Sequence, residues 1–280
     1  MGRDDVVALE EGFERDLRSN ARVTSEKGES DVHHIVLDCG GIPFPVLEGQ
    51  TVGVIPPGTD GSGKPHTLRL YSVASARDGE TEGRGDFALT VKRVMHDRAG
   101  KTMAGIASNH LCDLVAGSRV QLVGPYGGSF LMPNDPAAKL LMIATGTGIA
   151  PMRAMIQRRQ RRGELDPRTA VLFYGGRTPN EMPYYEELAA FAPEQLTLYP
   201  AFSRQPSQPR RYVQNALIEA RDQVVSLLRD PLCHVYLCGL RSMEQDVMAY
   251  FHRICMAAHI DWPGLREHLH RGGRLHLETY

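Results

Sequence analysis

The feature that most constrains this chain is a strand-to-helix junction in its second half. Residues 139–144 read Lys-Leu-Leu-Met-Ile-Ala, an apolar run that suits a strand buried on both faces. It leads straight into Thr145-Gly146-Thr147-Gly148-Ile149-Ala150-Pro151, and a helix is expected over 151–162. Glycine lets a backbone turn tightly and approach a ligand, and proline suits a first helical turn because it has no N–H to satisfy. A helix N-terminus presents unpaired N–H groups and the positive end of the dipole, which together hold anions such as a pyrophosphate. The spacing is not the general Gly-x-Gly-x-x-Gly one. A tight turn with no ligand is the other reading of the local residues.

The strand–helix alternation continues. Strands are expected over 170–174, 196–201 and 235–238, helices over 184–191, 217–228 and 243–258, and a last strand over 274–278. Such alternation predicts a doubly wound parallel sheet. The first half is different. Short strand patterns at 32–37, 51–55, 68–73, 87–94 and 119–123 are separated by turn clusters such as Cys39-Gly40-Gly41, Pro56-Pro57-Gly58 and Gly61-Ser62-Gly63-Lys64. That punctuation predicts a closed antiparallel barrel. The expected architecture is therefore two-domain: an antiparallel β-barrel over 1–135 and an α/β doubly wound parallel sheet over 136–280. The polar turn Pro133-Asn134-Asp135-Pro136 marks the boundary. A length of 280 residues suits two domains of roughly 100–150 each.

Composition narrows the class. The formal net charge of −1 argues against bulk attraction to nucleic acid or to an anionic membrane. Five cysteines, an odd number with no Cys-x-x-Cys pair, give poor support to a disulfide framework, a zinc site or an iron–sulfur cluster. Free thiols in a reducing cytoplasm, and no metal, are expected. The charged start over 1–17 has no apolar segment of a secretory signal, and no run of about 18 apolar residues suggests a membrane span.

Arg69-Leu70-Tyr71-Ser72 puts Arg69 and Tyr71 on one face of a strand and Leu70 and Ser72 on the other. A guanidinium pairs with phosphate and a phenol ring packs on a flat ring system, but an ordinary amphipathic strand fits these residues too. Taken together with the 146–151 run, with Tyr236-Leu237-Cys238-Gly239-Leu240 followed by Met243-Glu244, and with the terminal Glu278-Thr279-Tyr280, this motif resembles the ferredoxin–NADP⁺ reductase family of plastid and cyanobacterial type. Glu48-Gly49-Gln50, Gly63-Lys64-Pro65-His66, 108–114 and Gly124-Pro125 support the likeness, which runs from about Asp31 to Tyr280.

The resemblance implies an FAD- and NADP(H)-dependent enzyme that takes hydride from NADPH and passes electrons singly to a separate carrier, a ferredoxin or flavodoxin. It implies that Arg69, with Leu70 beside it, holds the FAD pyrophosphate. Tyr71 stacks on one flavin face, Ser72 hydrogen-bonds near flavin N5, and Ile106, Ala107 and Ser108 line the FAD phosphates, with Lys92 nearby. Thr147, with Gly148 beside it, touches the coenzyme's pyrophosphate or nicotinamide region, and Ser203, Arg204, Arg210, Tyr212 and Gln214 take its 2′-phosphate and adenine. Cys238, followed by Gly239, Leu240 and Glu244, lies beside the nicotinamide, Glu278 is the nearby carboxylate, and Tyr280 covers the second flavin face. Two departures stand out. His96 occupies the place of a tyrosine that commonly stacks on the FAD adenine. Arg210-Arg211 stands where the family commonly has a lysine and an apolar residue before the tyrosine, here Tyr212, which makes Arg210 the expected phosphate ligand and Arg211 a spare.

The expected protein is cytoplasmic and bacterial, and a monomer or weak oligomer. Lys64, Lys92, Arg93, Lys101 and Arg153 are the cations expected to dock an acidic carrier. Two other readings use the same residues. One is the reductase component of a multicomponent oxygenase of benzoyl-CoA type, with its iron–sulfur component on another chain. The other is a flavin-binding sensor or structural subunit without turnover, against which the intact Ser72, Cys238 and Glu278 argue.

Overall fold

The computed structural model describes residues 13–40, 44–96 and 101–280; Gly41 and most of the charged start fall outside them. Contacts divide the chain into two compact units, Met1–Leu131 with Arg153–Arg158, and Met132–Met152 with Arg159–Tyr280. The boundary expected at 135/136 is thus set against a division after Leu131 in which one segment of a later helix counts with the first unit.

The first unit contains β1 (Phe13–Arg22), β2 (Val32–Asp38), β3 (Thr51–Ile55), β4 (Arg69–Ser72), β5 (Asp86–Lys92), α1 (Ile106–Asp113) and β6 (Arg119–Tyr126). Its strands run β4-β3-β6-β1-β2-β5, and every pairing is antiparallel. The two outer strands meet where Val73 bridges Leu89 and the Ala74 N–H donates to Ala88 O at 2.8 Å, so the sheet closes on itself. Leu17, Ile35, Leu37, Val54, Leu89 and Leu122 fill the interior. Closure removes exposed strand edges and gives β4, a four-residue strand, a fixed platform on which to present its side chains.

Strand β1 was not expected. Its sequence, Phe-Glu-Arg-Asp-Leu-Arg-Ser-Asn-Ala-Arg, reads as a charged segment, yet it fills the gap between β2 and β6. The period of two is present but disguised, because an inward position is Arg15. That guanidinium lies over the Phe13 ring, 4.4 Å from its centroid, while Leu17 is fully buried. Outward-facing Arg18 pairs with Asp38 and with the buried Asp86.

The second unit contains β7 (Lys139–Thr145), a short 3₁₀ turn (Gly146–Gly148) leading into α2 (Ile149–Arg161), then β8 (Ala170–Gly176), α3 (Tyr185–Ala189), β9 (Thr197–Phe202), α4 (Val213–Glu219), α5 (Arg221–Arg229), β10 (Cys233–Gly239), α6 (Arg241–Ala257), α7 (Trp262–Arg271) and β11 (Leu275–Thr279). The strand order is β11-β10-β7-β8-β9 and all pairings are parallel, as the alternation predicts. Leu141, Ile143, Val235 and Leu237 pack with residues of α4, α5, α6 and α7 in one apolar cluster.

Two expectations need correction here. The helix expected over 217–228 is two helices, broken at Ala220, and both halves feed the same core cluster. Helix α7 was missed because Pro263-Gly264 reads as a turn; Pro263 instead occupies the first helical turn, where its missing N–H costs nothing. Among the described residues no helix is long and apolar enough to cross a membrane, and no group of three or more His, Cys, Asp or Glu side chains is placed to hold a metal ion.

Candidate active site

In the second unit, the chain leaves β7 for β8 on one side and leaves β10 for β11 on the other, so the carboxyl ends of β7 and β10 form a topological switch point. In open parallel sheets this is where a crevice for ligands opens. Glycines lock the two ends together. Gly146 turns in the left-handed region, at φ 55°. Gly148 is required by space: a Cβ there would lie 2.2 Å from Cys238 O and 2.5 Å from its carbonyl carbon. Gly239, at φ 146°, leaves room for the Thr145 Oγ1, which a Cβ would approach to 2.3 Å. That Thr145 hydroxyl is buried with no hydrogen-bond partner among the described residues, a signal at the site that sequence reasoning did not isolate.

Cys238 is at this switch point, in register with Ala144 on one side and Glu278 on the other. It is only 3% exposed. Burial first, and the Glu278 carboxylate second, push the thiol's pKa up, so it stays protonated at neutral pH. Such a group packs and hydrogen-bonds weakly; it is no nucleophile. Tyr280 is anchored despite being the final residue. Its N–H donates to Gly239 O at 3.1 Å, its O accepts from Arg241 N at 3.2 Å, and its hydroxyl lies 2.8 Å from Thr147 Oγ1. The residue as a whole remains 55% exposed. Thr279 Oγ1 donates to Glu244, which ties β11 to the start of α6, while Leu240, which links β10 to α6, is exposed.

A second cluster surrounds a cleft of about 310 Å³ lined by Pro200, Phe202, Gln208, Pro209, Arg210, Arg211, Asn215 and Glu219. Ser203 anchors the nearby loop by donating from both N and Oγ to Gly176 O, at 2.9 and 3.2 Å, and the Arg204 N–H donates to Arg177 O at 2.8 Å. Tyr212, a residue 46% exposed, precedes α4 with its N–H donating to Asn215 Oδ1 at 2.9 Å. Gln214 donates to Asp246 Oδ2 at 3.1 Å. The two arginines differ sharply. Arg210 is exposed and has no carboxylate partner among the described residues, whereas Arg211 is bound to Glu219 and to Pro200 O.

In the first unit, β4 presents Arg69 and Leu70 outward and Tyr71 and Ser72 half-buried. Arg69 donates only to backbone, Thr67 O at 3.3 Å and Leu68 O at 3.1 Å, so its charge has no carboxylate partner among the described residues. Tyr71 packs against the barrel core, and burial, then the neighbouring Cys112, push its hydroxyl up to about 12 against the opposing pull of Arg69. The Ser72 hydroxyl makes no hydrogen bond to a described residue. At α1, Asn109 N–H closes the first turn on Gly105 O at 2.9 Å, leaving the amides of Ile106, Ala107 and Ser108 without intrahelical acceptors. The Ser108 hydroxyl is occupied: it donates to Gly105 O at 3.2 Å and accepts from Val94 N at 3.1 Å, pinning α1 beneath β5. Leu70, Met95, Met103 and Ile106 are exposed apolar residues of this unit. Lys92, the last residue of β5, and His96 beyond it are exposed, and His96 bridges to Thr102.

Two expected docking cations are committed elsewhere. Arg153, counted with the first unit, is buried; it donates to Ala74 O at 2.8 Å and forks across Glu80 at 2.8 and 2.9 Å. Arg93 pairs with Asp31 at 2.8 Å and Asp113 at 2.7 Å. Lys64, Lys92 and Lys101 are exposed.

Comparison with known proteins bears on the whole chain. Residues 142–249 match the family model of the oxidoreductase NAD-binding domain. A ferredoxin–NADP reductase of Spirulina sp. is 37% identical over 94% of this chain and 93% of that protein. The cyanelle ferredoxin–NADP reductase of Cyanophora paradoxa is 38% identical over 93% of this chain and 74% of its own length. Among solved structures, the ferredoxin–NADP⁺ reductase of Plasmodium falciparum superposes with a TM-score of 0.75 at 22% identity, covering 96% of each chain; its complex with 2′-phospho-AMP gives 0.73. The structural likeness establishes the fold, a barrel followed by a parallel sheet. The sequence identity, sustained across both units, establishes more: this chain belongs to the ferredoxin–NADP reductase family.

Proposed function

We propose that this protein is a cytoplasmic FAD-containing reductase that takes hydride from NADPH and delivers single electrons to a ferredoxin- or flavodoxin-like carrier. The observation that carries this reading is the switch point itself, where the glycine turn after β7 rests on the Cys238 backbone and Tyr280 is fastened by Thr147 and Gly239. A ligand with an anionic linker and a flat ring makes full use of helix amides, a buried neutral thiol and an anchored aromatic ring together.

The first unit fits FAD. Arg69 brings a cation with no competing carboxylate among the described residues, the amides of Ile106 and Ala107 have no intrahelical acceptors, and Leu70, Met95, Met103 and Ile106 of the same unit are exposed apolar residues. When bound, FAD supplies the conversion between two-electron hydride chemistry and single-electron release. The residues themselves position. Tyr71, held against the barrel core, gives a flat apolar surface, and the Ser72 hydroxyl is available as donor or acceptor. In the second unit Thr147 and Gly148 receive the coenzyme pyrophosphate, Cys238 packs against the nicotinamide without ionising, and Ser203, Arg204, Arg210 and Tyr212 select the 2′-phosphate and adenine. NADP is favoured over NAD because the guanidinium fork of an arginine matches a phosphate.

The test is direct. Purified protein should release FAD on denaturation, bleach with NADPH under anaerobic conditions, and reduce ferredoxin catalytically. A protein that binds flavin but stays yellow with NADPH would be a sensor or structural subunit. Equal kcat/KM for NADPH and NADH would remove the assigned role of the 203–214 loop.

A further inference from the structure

The cleft beside α4 holds two arginines and one glutamate, and their pairing is unequal. Arg211 Nε donates to Glu219 Oε1 at 3.2 Å, its Nη2 donates to Glu219 Oε2, and its Nη1 donates to Pro200 O at 2.7 Å. The fork is thus spent on protein acceptors. Arg210, on the same cleft, has no such partner among the described residues. Glu219 is the last residue of α4, where the helix dipole disfavours a negative charge, and its side chain is 58% exposed to the cleft and solvent. Arg211 and Glu219 are eight positions apart, so no local helix pairing accounts for them; the turn before α4 brings them together.

Resting on the assignment of this cleft to the 2′-phosphate end of NADPH, we infer that Arg211 sets coenzyme selectivity without gripping the coenzyme. It cancels the Glu219 carboxylate, which otherwise repels the phosphate that Arg210 attracts. With the pair intact, the cleft carries one net positive charge, that of Arg210. Without Arg211 it carries none, and a bare carboxylate faces a group of about −2 charge. Charges around a cleft of this size stand on the order of 6–8 Å apart, and at that range beside water the repulsion weakens binding roughly three- to tenfold. Arg211 is therefore a positioning and charge-balancing residue and Arg210 the ligand.

The experiment uses the FAD-loaded enzyme and four variants: Arg211→Ala, Glu219→Gln, the double variant and Arg210→Ala. Kd for 2′-phospho-AMP is measured by calorimetry, and the NADPH-to-NADH ratio of kcat/KM is measured with ferricyanide as acceptor. Arg211→Ala should weaken 2′-phospho-AMP roughly three- to tenfold and lower the ratio to match, and this deficit should shrink at high ionic strength. Glu219→Gln alone should bind no more weakly than the wild type. The double variant should return to within about twofold of the wild type, because removing the carboxylate removes the repulsion. A double variant as weak as Arg211→Ala would overturn the inference, since Arg211 would then act by direct contact or as a brace. An unchanged Arg211→Ala would overturn it equally. Arg210→Ala reports on the underlying assignment: if it leaves the affinity for 2′-phospho-AMP intact, the cleft is not the phosphate site, and both fall.

Discussion

Replacing Gly148 by alanine should damage this enzyme far more than replacing Gly146, although both stand in one three-residue turn. The added Cβ at 148 would lie 2.2 Å from Cys238 O and 2.5 Å from its carbonyl carbon. An ordinary carbon–oxygen contact is about 3.3 Å, so roughly 1 Å must open between two backbone segments. Neither segment can rotate out of the way as a side chain would. Overpacking of this kind costs about 1–3 kcal/mol, and backbone on both sides places it at the upper end. For a unit of this size that lowers Tm by about 6–12 °C. Cys238 should move with its carbonyl, and a 1 Å misplacement at a reacting centre costs on the order of 10²-fold in rate. Gly146 differs: its φ is 55°, and nothing lies within 4 Å of a Cβ there. Alanine at 146 therefore carries only the left-handed penalty of about 1–2 kcal/mol. The assay pairs thermal unfolding followed by circular dichroism with anaerobic stopped-flow reduction of the flavin by NADPH. If Gly148→Ala loses no more stability and no more rate than Gly146→Ala, the turn does not rest on the end of β10 and the reasoning fails.

Arg69→Ala should lose FAD during purification while the barrel still folds, because among the described residues the Arg69 guanidinium hydrogen-bonds only to two neighbouring backbone carbonyls; flavin-to-protein ratio and circular dichroism check this. Tyr280→Ser should gain NADH-dependent kcat/KM, since the ring fastened to Thr147 is the one proposed to cover the flavin face that the nicotinamide must occupy; no gain at equal FAD content would refute it. The native protein should react with less than one equivalent of a thiol reagent at pH 8, because all five cysteines are buried and burial raises the Cys238 pKa; fast labelling of Cys238 would contradict its assigned neutral state. Glu80 gives an acid dependence. Burial raises its pKa, but hydrogen bonds from His34 and Arg153 outweigh this and hold it at about 2 against the ordinary 4.5. A carboxylate depressed in the fold stabilises above its unfolded pKa, so about 3 kcal/mol present at neutral pH should disappear as pH falls from about 4.5 to 2. Urea midpoints across that range should drop for the wild type and stay flatter for Glu80→Gln.

What the sequence determined by itself was the set of features written in local backbone geometry. The apolar run over 139–144, the glycines after it and the alternation that follows specify a parallel sheet, because each pattern constrains only neighbouring dihedral angles and one face of one element. The likeness of ordered motifs then named the chemistry. Tertiary structure alone decided which side chains are at liberty to perform it. Arg210 and Arg211 are adjacent and chemically identical, yet only the fold shows one open to the cleft and the other held by Glu219. Arg153 looked like a surface cation until Glu80, far away in the chain, took both arms of its guanidinium. Strand β1 looked too polar to be a strand until Phe13 covered the inward Arg15. Gly148 looked like a conformational glycine, but the need for it comes from a carbonyl ninety residues later. In each case the deciding partner is distant in sequence, and a charge or a contact has no meaning until its partner is placed.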